Sequence, residues 1–126
     1  MKKLLLLLII ITTIGVLCGQ DSLLVKDKVL NEVSGIVCGV QNPYLYYVIN
    51  DSGGKPEVYG LNKSGKLMAT LHLKAVVNRD WEDIAVGPGP EAGKNYIYVG
   101  EIGDNAARYP EIALYRFVEP SIIFNK

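Results

Sequence analysis

Three short stretches of this chain carry paired oxygen-bearing side chains. Glu82 and Asp83 stand together in RDWEDIAVGPGP, Asp104 and Asn105 in EIGDNAAR, and Asn50 and Asp51 in VINDSGG. Carboxylates and amide carbonyls are the ligands of hard cations, and calcium takes about six to eight such oxygens at about 2.3 to 2.6 Å. Carboxylates crowded on one another repel unless a positive charge lies between them. A divalent cation supplies that charge, and Arg79 or Arg108 can supply part of it. The chemistry therefore depends on whether the fold brings the three pairs to one place. Taken singly, NDSGG and GDN are also ordinary turn sequences, because Asn, Asp and Gly accept positive φ and hydrogen-bond their own backbone.

The elements that must position them are β-strands. Short runs rich in Val, Ile, Tyr and Leu alternate with Gly, Pro, Asn, Asp and Ser clusters, which predicts strands over Gly35–Gly39, Leu45–Ile49, Glu57–Leu61, Lys66–Leu73, Asp83–Val86, Tyr96–Gly100 and Ile112–Phe117. No stretch beyond the N-terminal leader keeps a helical period. The pattern also repeats. SGIVCG at Ser34 matches EDIAVG at Glu82 with an offset of 48, Tyr47-Val48 matches Tyr98-Val99 at 51, and Val58-Tyr59 matches Leu114-Tyr115 at 56. Four strands in about 40 to 50 residues is the size of a propeller blade. The expected fold is thus all-β, a β-propeller represented by an N-terminal fragment of about two four-stranded blades, with blade one over 34–79 and an incomplete blade two over 80–126. Closed propellers have about four to eight blades, so two units do not make a ring. A small two-sheet sandwich, complete as it stands, is the alternative architecture.

In a blade, the start of the first strand and the end of the second share a face. Glu82 and Asp83 open a first strand, while Asn50-Asp51 and Asp104-Asn105 follow second strands. All six are expected at one rim of a central channel. They are the candidate metal ligands, with calcium the expected ion.

Other signals bound the reading. Residues 1–19 have the build of a secretory signal peptide, with Lys2-Lys3, an unbroken apolar run from Leu4 to Ile11 and small residues near Cys18. The apolar segment is shorter than the roughly 20 residues of a membrane-spanning helix, so export without a membrane span is expected. Lipoprotein acylation at Cys18 is disfavoured by Leu17 before it. Residues 20–33 form a linker, and Cys38 is expected to be a buried free thiol in a strand. Thirteen basic residues balance thirteen acidic ones with no basic cluster, which argues against nucleic acid as a partner. GLNKSGKL, from Gly60, falls short of a phosphate-binding loop, because Leu67 stands where a hydroxyl is required and no helix follows; NKSGK reads as a hairpin turn. His72, the only histidine, has no serine placed to complete a relay. Trp81 reads as a core side chain, and Asn50 and Asn62 fit the N-glycosylation acceptor pattern.

SGI near Ser34, NDSG, DWEDIA, IGDN followed by an arginine, and YRFVEP together resemble a group of secreted, largely uncharacterised β-propeller proteins over about Ser34 to Pro120. More distantly, an acidic pair opening an inner strand is similar to that of paraoxonase-type and regucalcin-type propellers, and phytase-like propellers also use calcium. That resemblance implies calcium held by Glu82 and Asp83 with Asp104 and Asn105, and ester or lactone hydrolysis with the metal as Lewis acid. The alternatives are a non-catalytic secreted propeller that binds a small molecule, glycan or protein, and a truncated fragment without independent function. Fold likeness alone does not transmit activity.

Overall fold

The computed structural model describes residues 21–124; the expected signal peptide lies outside them. Seven strands follow one another: β1 (Val33–Cys38), β2 (Leu45–Asn50), β3 (Glu57–Asn62), β4 (Leu67–His72), β5 (Trp81–Pro88), β6 (Asn95–Glu101) and β7 (Ala113–Val118). They form two antiparallel sheets, β1-β2-β3-β4 and β5-β6-β7. Among the described residues no helix is long and apolar enough to cross a membrane.

Local chemistry sets the turns. At the β3–β4 hairpin, Asn62 Oδ1 accepts from Ser64 N, Ser64 Oγ and Lys66 N at 2.8 to 3.0 Å, the side-chain capping that a tight turn requires. Gly65 follows with φ 75°, a conformation that other residues adopt only at a steric cost.

Both first strands carry a β-bulge at the same place in the repeat. The register skips from Val33 to Gly35 against Asn50 and Ile49, which leaves Ser34 extra. It skips again from Trp81 to Asp83 against Glu101 and Gly100, which leaves Glu82 extra. Ser34 and Glu82 are also the residues that align at the offset of 48. A bulge bends its strand and re-aims the side chain there. Ser34 uses this to donate its hydroxyl to Trp81 O at 2.7 Å, which ties one sheet to the other.

The sheets meet along their first strands, with β5 packed on β1 and β2. Leu45, Tyr47, Ile49 and Val58 of the first sheet close on Trp81, Ile84, Ile97 and Val99 of the second. Burying one such side chain stabilises the fold by about 2 kcal/mol before entropy is counted. Outward, the sheets diverge and leave an apolar groove of about 620 Å³ between β4 and β7, lined by Leu71, Leu73, Val76, Tyr115 and Phe117. A second cluster, Val48, Tyr59 and Leu61, lies on the far side of the first sheet under Val29 and Leu30. Cys38 also faces that side and is exposed rather than buried. It belongs to an edge strand whose outer surface the leading segment does not cover.

After β7 the chain turns away from its own sheet. Glu119 accepts from the backbone N–H groups of Val40, Gln41 and Asn42 at 2.8 to 3.2 Å, and from Asn42 Nδ2 and the Tyr47 hydroxyl at 3.2 and 3.3 Å. Asn42 also donates to Pro120 O, and its Oδ1 accepts from Ile122 N. Residues 119–124 therefore cross to the β1–β2 hairpin instead of adding a fourth strand to β5-β6-β7.

Candidate metal centre

The other end of the sheets collects carboxylates. Asn78, buried in the loop before β5, donates from Nδ2 to the carbonyls of Asn50 and Asp51, both at 2.9 Å, and accepts from Trp81 N at 3.2 Å. One amide thus staples the end of β2 to the start of β5. Trp81 is 0% exposed and anchors that start in the core, its Nε1 donating to Glu101 Oε2 at 3.3 Å. With Trp81 fixed inward, Asp80 before it and the bulged Glu82 after it both turn toward Asp51. The three carboxylates lie within 4.8 Å of one another. An ion about 2.4 Å from each ligand tolerates ligand oxygens up to about 4.8 Å apart, so the spacing suits a calcium-sized cation.

Gly103 makes room for this. A Cβ there would overlap the Asp80 carboxyl and come within 2.7 Å of Glu82 Oε1. Its backbone N–H donates to Asp80 O at 3.2 Å and holds the β6–β7 loop against the cluster.

The electrostatics are those of negative charge drawn partly out of water. Burial, then the hydrogen-bonded Asp51 carboxylate and the charge of Asp104, push Asp80 above the usual carboxylate range, and Arg79 offsets only part of this. Burial and the charges of Asp51 and Asp80 push Glu82 up as well. Arg79 is committed elsewhere. Its Nε lies 2.6 Å from Glu101 Oε1, off the N–H direction, so the contact is ionic rather than a directed hydrogen bond. Its Nη2 donates to Glu111 O at 3.0 Å, and its guanidinium stacks 3.9 Å over the Tyr109 ring. Among the described residues no lysine or arginine forms an ion pair with Asp51, Asp80 or Glu82.

The six residues singled out from the sequence divide accordingly. Asp51 and Glu82 enter the cluster. Asp83 pairs with Gly100 in the ladder, is exposed, and accepts from Ile84 N at 2.8 Å. Asp104 is close enough for its charge to act on Asp80, but its oxygens accept from Arg108 N and Tyr109 N, both at 2.8 Å. Those two N–H groups hold its carboxyl below the usual range. Asn105 is exposed in the same loop. Asn50 is buried with Nδ2 donating to Val29 O and Asn31 Oδ1, so the folded chain gives no access to a glycan there. Asp80, 8% exposed, is not among the residues singled out from the sequence. The available signal is its position beside Trp81, which reads as a core side chain.

No family model, curated protein or solved structure matches this chain.

Proposed function

We propose that this chain is a secreted unit of β-propeller type that binds a divalent cation, calcium before others, through Asp51, Asp80 and Glu82. The observation that carries the reading is three converging carboxylates, two of them raised by burial and mutual repulsion, with no ion-paired lysine or arginine among the described residues. Hard oxygen ligands favour calcium or magnesium over softer-ligand metals. The propeller reading is supported by bulges repeated at Ser34 and Glu82 and by contact of the two sheets along their first strands.

Three carboxylates supply fewer oxygens than the six to eight calcium takes, so the remaining positions fall to water or to an oxygen of a bound molecule. An ion with open positions polarises a carbonyl oxygen, which is the chemistry ester or lactone hydrolysis requires. The protein's part is then to hold the ion and orient what binds beside it. Calcium is expected to raise the melting temperature of the purified chain, and Glu82→Gln to remove most of that rise. A melting temperature insensitive to millimolar calcium contradicts the proposal. Turnover of ester and lactone substrates in calcium distinguishes a hydrolase from a non-catalytic binder.

A further inference from the structure

The groove between β4 and β7 is walled by two strand edges. Among the described residues β4 pairs only with β3, and β7 only with β6. Glu119 N donates to Asn95 O at 2.8 Å and extends the β6–β7 ladder by one pair. The bonds of an antiparallel ladder fall on alternate residues. Ala113, Tyr115 and Phe117 therefore turn their N–H and C=O groups to β6, while Leu114, Arg116 and Val118 turn theirs to the open edge. On β4, Leu73 N donates to Pro56 O at 2.9 Å, and the same alternation turns Thr70 and His72 outward. Thr70, His72, Arg116 and Val118 all border the groove, although their side chains lie on the face opposite Leu71, Tyr115 and Phe117. Unpaired backbone groups therefore flank a floor of apolar side chains.

The two walls differ. The register of β3 and β4 shifts between Gly60 and Leu61, and such an irregularity bends the strand and breaks its ladder. On the same wall His72 is held by Glu57, with Nδ1 3.0 Å from Oε1. β7, by contrast, pairs without a shift from Ala113 to Val118. Near its middle stands Arg116, exposed and in no ion pair among the described residues. Lys74, also exposed and without an ion pair there, borders the groove as well. Among the described residues no acidic side chain lines it.

We propose that an extended peptide, with an acidic residue between two apolar ones, binds as a fourth strand along β7. Its backbone pairs with the outward N–H and C=O groups of Leu114, Arg116 and Val118. Its apolar side chains enter the groove beside Tyr115 and Phe117, and the acidic one, on the opposite face, pairs across the strands with Arg116. In strand addition of this kind the main chain supplies affinity and alternate side chains supply specificity. An extended backbone is the occupant because the edge offers donors and acceptors in strand alternation, and its charge is negative because the charged groups around the groove are basic. The site shares no residue with Asp51, Asp80 and Glu82, so its test stands apart from that of the cation site.

Fluorescence anisotropy of a fluorescein-labelled peptide, Ser-Thr-Val-Glu-Val-Thr-Ser, titrated with the full chain tests this. Saturable binding is expected. Methylating the amide nitrogen of the peptide's glutamate, which faces Arg116 in the ladder, keeps every side chain and is expected to weaken binding about tenfold. Methylating the nitrogen of a valine, which faces away, is expected to have little effect. Arg116→Glu, at an exposed position, is expected to leave the circular dichroism spectrum unchanged and to weaken binding about fivefold, and a lysine in place of the peptide's glutamate to restore it. A wild-type chain that does not bind the peptide at millimolar concentration overturns the proposal. So does binding that survives methylation of the glutamate nitrogen, since the groove then takes apolar side chains without strand pairing. Equal affinity for the glutamate and lysine peptides in both chains overturns it too. A chain that sediments as an oligomer and excludes the peptide also overturns it, because a second copy then fills the edge.

Discussion

The two ends of this pair of sheets use carboxylates in opposite ways. At the β1–β2 hairpin end, Glu119 receives five hydrogen bonds from Val40, Gln41, Asn42 and Tyr47 and closes the second sheet's last strand onto the first sheet. At the far end, Asp51, Asp80 and Glu82 face one another without comparable donors, while the nearest guanidinium is drawn off to Glu101. A buried carboxylate surrounded by N–H and O–H groups holds structure together. Carboxylates that surround each other store repulsion that a cation releases. The comparison separates the residues that make the fold from those placed for a ligand.

The sharpest way to break that distinction is at the structural end. Glu119→Ala leaves three backbone N–H groups and the Tyr47 hydroxyl without their acceptor. Unfolding in urea is expected to show a loss of about 3 kcal/mol, in the range for breaking a buried charged network. Glu119→Gln, which keeps one acceptor, is expected to recover part of it.

The same kind of substitution at the other end is expected to change sign. Asp80→Asn relieves like-charge repulsion and, in a chelator, should raise stability by about 1 kcal/mol. It is also expected to abolish stabilisation by calcium. A loss of stability comparable to that of Glu119→Ala would mean that Asp80, too, serves the fold.

Acid gives a smaller and more graded contrast. The folded chain raises Asp80 and Glu82, so it binds protons more tightly than the unfolded chain at these two sites. Their effect on stability is unfavourable at neutral pH and fades as pH falls from the raised values toward the ordinary carboxylate range. Asp104 is lowered in the folded chain, so its contribution is present above the ordinary range and is lost as pH falls through the lowered value. Calcium affinity should therefore rise with pH through the raised values of Asp80 and Glu82, read as the calcium-induced shift in melting temperature over a pH series.

Much of the scaffold was legible in the residues. Alternation and turn chemistry mark all seven strands to within about two residues, and the drifting offset between SGIVCG and EDIAVG anticipates two sheets of like pattern. What the alternation did not disclose was the bulge. Glu82 and Asp83 look like one pair in the sequence, yet the extra residue in β5 sends Glu82 to the cluster and leaves Asp83 in the ladder. Asp104 was drawn into its own turn by the Arg108 and Tyr109 N–H groups, a local contact that outweighed any longer reach. Asp80 depended on Asn78, which links segments 27 and 28 residues apart in sequence. The path of residues 119–124 likewise depended on Asn42 and Tyr44, far away in the chain.

Terbium, a luminescent substitute for calcium, tests the cation site most directly, because the only tryptophan in the chain, Trp81, stands between Asp80 and Glu82. Excitation of Trp81 is expected to sensitise emission from bound terbium in the wild-type chain. Calcium should displace that signal, and Asp80→Asn or Glu82→Gln should reduce it at least tenfold in apparent affinity, about 1.4 kcal/mol. An absent signal, or one unchanged by both substitutions, would contradict a metal centre at Asp51, Asp80 and Glu82.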